Sequence, residues 1–339
     1  MTIDFDSLEK VARLRIVAKL VVDLGTRFQP TGFPDLGPAE FELPNGKAGL
    51  IVESCQSMAN RLEMVCWDEV NDDWQEHLKG LPVIKVVNKA GEPFTNSVME
   101  SHRINSPYIL GGKDESLLNI LKAELAPKGI GAVNFRKLYK LLLMYDPNTL
   151  IHGVFLARKD LANGRYKLPR ALTAFIDAED VNIASSGGVK FDYVNPSGKT
   201  ALGFGHVPFH RDEYTSPNIY ASFKLDLAQV RGYGLGKDAE NFLIAFALYK
   251  IQKVLSDGLR LRTACEFVCT ELDVKSPEGW IMPTLAEIEE TLPSLIKAVA
   301  DEGKFRDTNG ELGDRSTIII YEEKEDKKAD TSSDEMVDD

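Results

Sequence analysis

From Ala12 to Leu24 the chain alternates. Ala12, Leu14, Ile16, Ala18, Leu20, Val22 and Leu24 share one parity, while Arg13, Arg15, Lys19 and Asp23 share the other with Val17 and Val21. A period of two places each set on its own face of an extended strand, so the pattern requires a sheet with one apolar and one basic face. A helix competes, because Leu8, Val11, Arg15 and Lys19 also fit a helical step. The β-branched content of Ile16 to Val22 favours the strand. Two later stretches repeat the design: Ile219 to Leu227 alternate with Tyr220, Ser222, Lys224 and Asp226, and Leu259, Leu261 and Thr263 alternate with Arg260 and Arg262.

Two helices accompany these strands. Between Glu53 and Trp67, Cys55, Met58, Ala59, Leu62, Val65 and Cys66 recur at three- and four-residue steps and draw one apolar stripe. The opposite positions, Gln56, Ser57, Asn60 and Arg61, are hydrogen-bonding groups where a solvated face would carry Glu and Lys. Asp238 to Leu255 is strongly apolar and closes on Asp257-Gly258. The order strand, polar helix, long insertion, strand, helix, strand predicts an α+β sheet with helices on one face, of the ferredoxin-like kind. Arg13, Arg15, Arg260 and Arg262 would then stand on the face left for a ligand. Leu81 to Asn88 and Leu172 to Ala184 both compete for the second strand. Ser185 to Ser216, opened by Ser185-Ser186-Gly187-Gly188 and turned at Asn195-Pro196-Ser197-Gly198, reads as a projecting hairpin with Val189 to Val194 as a strand.

Charge is unevenly distributed. The 339 residues sum to −12, which argues against nucleic acid at first sight. From Glu322 to Asp339, however, nine acids face three lysines, whereas residues 128 to 176 carry nine bases against Asp146 and Asp160. The domain reading is therefore one body over 1–320, with its projection at about 185–216, and an acidic, disordered tail over 321–339. No apolar run is long enough to span a bilayer and the start lacks a basic, signal-like region, so a cytoplasmic protein without a membrane partner is expected. Four cysteines, two of them on the helical stripe, fit a reducing compartment.

The polar helix face and the loop Gly25 to Gly37, with Arg27, Gln29 and two aromatic rings, offer the groups that hold RNA. Other chemistries fare worse. Gly198-Lys199-Thr200 lacks the first glycine of a P-loop, since position 193 is Tyr193. His206 and His210 with Cys265 and Cys269 have zinc-type side chains, but on a strand Cys265 and Cys269 stand roughly 13 Å apart. Asp177, Glu179 and Asp180 are the remaining candidates for a divalent metal. The expectation is no metal, no cofactor and no catalytic residue. Ser185 to Lys190 could form either a phosphate-binding nest or a hinge, and His102-Arg103-Ile104-Asn105 concentrates polar groups before Ser106-Pro107-Tyr108.

Several blocks carry a family resemblance. They are Gly25 to Gly37, Glu53-Ser54-Cys55-Gln56-Ser57-Met58-Ala59-Asn60-Arg61-Leu62-Glu63, Tyr145-Asp146-Pro147-Asn148, Leu168-Pro169-Arg170-Ala171-Leu172, Ala184 to Lys190 and Leu259-Arg260-Leu261-Arg262-Thr263-Ala264-Cys265. In this order they resemble the backbone (Cas-seven) subunit of type I-G, formerly I-U, CRISPR Cascade, over about residues 12 to 300. The acidic tail lies outside the resemblance.

The resemblance implies a modified RNA-recognition-type palm, a finger-like insertion and a protruding β-hairpin thumb. It implies copies stacked as a helical filament along one CRISPR RNA (crRNA), which they present for pairing with a target DNA strand in antiviral defence. Other Cascade subunits, a large one and one that binds the repeat end, would be partners. Such a task needs backbone contacts without base reading. The RNA-binding residues expected are Arg13, Arg15, Arg27, Gln56, Ser57, Asn60, Arg61, Arg103, Lys190, Arg260 and Arg262. Two alternatives stand beside this reading. One is a type III-like subunit with metal-dependent ribonuclease activity at Asp35 or Asp177; the other is a scaffold that binds only protein.

Overall fold

The alternation at the start of the chain is realised as strand β1, Arg13–Val22, in which Leu14, Ile16, Ala18 and Leu20 are buried and Arg13 and Arg15 exposed. The computed structural model describes residues 3–33, 36–125, 132–306 and 315–324. After β1 come β2 (Glu40–Glu42), β3 (Ala48–Glu53) and helix α1 (Cys55–Met64). An insertion follows with β4 (Val83–Val87), β5 (Pro93–Asn96), α2 (Ser116–Leu125), α3 (Phe135–Tyr145) and α4 (Pro147–His152). The chain then returns through β6 (Leu172–Glu179), β7 (Asn182–Lys190), β8 (Val207–Thr215) and β9 (Asn218–Asp226). Helix α5 (Lys237–Asp257), β10 (Arg260–Arg262), β11 (Cys265–Ser276), α6 (Leu285–Asp301) and β12 (Ser316–Ile320) complete it.

Seven strands form one curled antiparallel sheet in the order β10-β11-β1-β9-β6-β3-β2. Ala18, Ala221 and Ile176 lie in one row across β1, β9 and β6, all buried under the helices. The covered face carries α1, packed on β6, and α5, which meets α1 and supports α6. Along α5, Phe242, Phe246 and Tyr249 are fully buried, each contributing about 1.5–3 kcal/mol by burial. Acids in its first turn, Asp238 and Glu240, suit the positive end of the helix dipole, and Gly258 caps its end.

Of the two candidates for the second strand, Leu172–Glu179 takes the place in the main sheet and stops where Asp180 turns with φ 57°. Val83–Val87 belongs to a separate sheet, parallel to β12 and antiparallel to β5. Strand β1 ends two residues before Leu24, which is exposed, because the chain there leaves the sheet.

The projecting segment is a long antiparallel hairpin, β7 against β8, paired from Asn182↔Thr215 to Lys190↔Val207. Its strand begins earlier than the sequence suggests and ends before Val194, since Asp192 folds the tip by accepting the amides of Val194, Asn195 and Gly205 at 2.8–2.9 Å. Ser185 to Lys190 are therefore extended and paired, and form neither a nest nor a hinge. Of the acidic tail, Tyr321 stacks on Phe94 and Glu322 pairs with Lys89 at 3.0 Å; residues 325–339 lie outside the described residues.

Candidate nucleic-acid interface

The polar face of α1 follows from Ser54, whose side chain caps the helix by accepting the amide of Ser57 at 3.3 Å, and from the stripe that buries Met58, Ala59 and Leu62. Glu53, one residue before the cap, is 2% exposed. Ser57 Oγ, Arg61 Nη2 (3.1 Å) and Arg262 Nη2 all donate to its carboxylate. Arg61 also donates to the carbonyl of Leu261 at 2.7 Å, and Arg262 to that of Gln29 at 3.2 Å. The fold thus brings Ser57, Arg61, Arg262 and the loop at Gln29 around one buried acid. Beside them Gln56 donates to Asn60 at 3.2 Å and accepts from Arg170.

The open sheet face is the second polar surface. Its central row reads Arg15, Lys224 and Thr173 across β1, β9 and β6. Arg15 and Lys224 are both exposed and directly opposite, and neither has a carboxylate partner among the described residues. Arg13 differs, pairing with its cross-strand neighbour Asp226 at 3.2 Å.

The remaining expected residues lie elsewhere. Arg103 is 5% exposed, with φ 51°, and grips the buried Glu63 through two bonds of 2.6 Å; Asn148 and Lys250 extend this network. It stands in the core because a guanidinium can be buried only where a carboxylate balances it. Arg27 pairs with Glu213 at the base of the hairpin at 3.1 Å, and Lys190 is exposed at the end of β7. Arg260 and Arg262 differ in environment, since a register shift separates them. Arg260 is an exposed edge residue 3.7 Å from Glu266, whereas Arg262 is half-buried against Glu53.

Asp177 is half-buried on the open face, and burial together with Glu179 raises its pKa; Asp180 pairs with Lys47 at 2.5 Å. Among the described residues no group of three His, Cys, Asp or Glu side chains could hold a metal ion. Asp35 lies outside the described residues. No helix among the described residues is long and apolar enough to cross a membrane.

Sequence reasoning did not single out Glu53, Lys224 or Lys250. Lys224 sits at a polar position of an alternating strand, and its link to Arg15 depends on register. Lys250 interrupts the apolar run of α5, which is itself a signal, because a lone cation there needs a buried acceptor.

A family model described as CRISPR-associated protein GSU0053 (Cas_GSU0053) matches residues 14–183. No curated protein matches. Among solved structures, a chain of a CRISPR RNA-guided surveillance complex, pre-nicking, is 11% identical with a TM-score of 0.45, covering 91% of this chain and 96% of that one. The crystal structure of Thermofilum pendens Csc2 is 9% identical with a TM-score of 0.32, covering 88% of this chain and 80% of that one.

Proposed function

The chain belongs to the Cas_GSU0053 family of CRISPR-associated proteins, a backbone family of the Cas-seven type, and from that membership we propose that it is a non-catalytic, multi-copy subunit, of type I-G, that binds CRISPR RNA and presents it for pairing with target DNA. One observation supports the RNA most directly: Arg15 and Lys224 face each other across β1 and β9 without a carboxylate partner among the described residues. Like charges directly opposite in a sheet are unfavourable, so an external polyanion is the natural counter-charge. Strands β11, β1, β9 and β6, in their order of fourth, first, third and second, are read as a ferredoxin-like palm. The insertion from β4 to α4 is read as the finger and β7–β8 as the thumb. Contacts to phosphate without base reading suit a protein whose specificity resides in the guide.

Gel filtration of the purified chain with absorbance at 260 and 280 nm tests this reading. Co-purifying RNA of mixed sequence, released at high salt, is expected. A nucleic-acid-free protein that binds no RNA at low salt would leave only the protein scaffold.

A further inference from the structure

Beside the polar face of α1 lies an open cavity of about 1020 Å³, lined by the loop at His102–Pro107, the end of α4 and residues 153–155, 157–158 and 167–170. Its size lies at the upper end of small-molecule sites, roughly 300–1,000 Å³. In a chain of net charge −12 the lining contains no Asp or Glu, but Arg103, Arg158, Lys167 and Arg170. Two of these are balanced from outside the lining, Arg103 by Glu63 and Arg158 by Asp160 at 3.1 Å. Lys167 and Arg170 have no carboxylate partner among the described residues; Arg170 donates to Gln56, and Lys167 lies 4.7 Å over the ring of Phe155. An anion entering here meets two uncompensated cations.

The rest of the wall suits a planar group with hydrogen-bonding edges. Phe155 is half exposed and, with the exposed Pro169, gives an apolar surface that a flat ring can contact. His152, at the end of α4, is 1% exposed, and neither ring nitrogen has a partner. Burial, then the nearby charges of Lys250, Arg103 and Arg170, push its pKa well below the usual histidine value. A neutral imidazole offers one donor and one acceptor. Asn105 Oδ1, also on this wall, is buried and unpartnered. An unmet polar group beside a cavity calls for a partner, which an ordered water or a ligand's own donors and acceptors can supply.

We propose that this cavity is a site for one nucleotide unit, its phosphate held by Lys167 and Arg170, its base against Phe155 and its edge toward His152 and Asn105. The unit can come from a bound RNA strand or from a free nucleotide; the first source rests on the function proposed above, the second does not.

Isothermal titration of the full chain with AMP, UMP, ribose 5-phosphate and inorganic phosphate, together with binding of a labelled RNA, separates the sources. The variants are Lys167→Ala with Arg170→Ala, and Phe155→Ala, each checked for an unchanged melting temperature. If either fails that check, Lys167→Ala alone, at an exposed position, takes its place. Expected for the free source is nucleotide binding at least tenfold tighter than phosphate or ribose 5-phosphate, weakened about tenfold by the double variant and by Phe155→Ala. Expected for the strand source is a loss of RNA affinity of about threefold to tenfold in both variants. RNA binding that all variants leave unchanged, with no nucleotide binding, overturns the site and leaves the proposed function standing. Nucleotide binding without RNA binding keeps the site and removes the proposed function, and binding of neither overturns both. Equal binding of inorganic phosphate and nucleotides, insensitive to Phe155→Ala, also overturns it, since no base would then be held.

Discussion

Arg262, the last residue of β10, donates to the carboxylate of Glu53, the last residue of β3, although five strand steps separate the two in the sheet. In a flat sheet five steps span about 24 Å, beyond the joint reach of an arginine and a glutamate. The contact therefore exists only because the sheet curls until its two sides meet below α1. Arg61 reinforces the junction from the helix.

Glu53→Gln is expected to keep the shape and lose about 2–4 kcal/mol of stability, because Arg61 and Arg262, both partly buried, are left without their counter-charge. Arg262→Ala should destabilise comparably. Arg260→Ala, at a side chain 76% exposed, should stay within about 0.5 kcal/mol. Urea titrations of the three variants check this, and equal effects of Arg260→Ala and Arg262→Ala would refute the junction.

On the open face, Arg15→Ala and Lys224→Ala should leave stability unchanged or raise it slightly, since each relieves a like-charge pair. Each should also lower the slope of log affinity for RNA against log salt by roughly one, equally for unrelated sequences. A loss confined to some sequences would make these residues base readers.

Tyr193 and Val194 at the hairpin tip are 86% and 96% exposed, so the tip adds little to the core. Replacing residues 191–206 by a short Gly/Ser linker should leave a folded monomer and abolish regular assembly on RNA, as seen by electron microscopy. Filaments of normal pitch from this variant would remove the thumb reading.

Assembled protein given a complementary labelled RNA with magnesium or manganese should leave it intact, and Asp177→Ala and Asp35→Ala should change nothing beyond stability. Regularly spaced cuts that either substitution abolishes would place the chain with the ribonucleases.

Asp146 caps α4 by accepting the backbone amide of Thr149 at 3.4 Å, it also accepts from Thr149 Oγ1 at 2.5 Å, and burial raises its pKa to about 6 from 3.8. The folded chain thus holds this proton more tightly than the unfolded chain. The stabilisation is complete below about pH 4 and is lost as pH rises through about 6. Asp146→Asn keeps an acceptor for the cap but does not titrate. Its melting temperature should gain on the wild type between pH 4 and pH 7, by an equivalent of at most about 3 kcal/mol. A constant difference across that range would contradict the assignment.

How much of this was legible beforehand depended on the range of the interaction. Strands β1 and β9, helices α1 and α5 and the hairpin could all be read from alternation, helical spacing and turn residues, because each pattern is written within one segment. The polar face of α1 was legible for the same reason. Burial of Arg103 was not, because its partner Glu63 stands 40 residues away and the sequence does not say which residue will neutralise a cation. The choice of Leu172–Glu179 over Leu81 to Asn88 was likewise undecided, since both carry apolar strand patterns and only packing under α1 distinguishes them. The sequence by itself determined which faces are apolar, which helix is polar and where the chain projects. Tertiary structure alone decided which charges meet, setting Arg61 and Arg262 on Glu53, Arg15 beside Lys224, and Lys167 and Arg170 around one cavity. Side-chain periodicity is local, whereas charge pairing depends on strand order, register and curl, which arise only when distant segments pack.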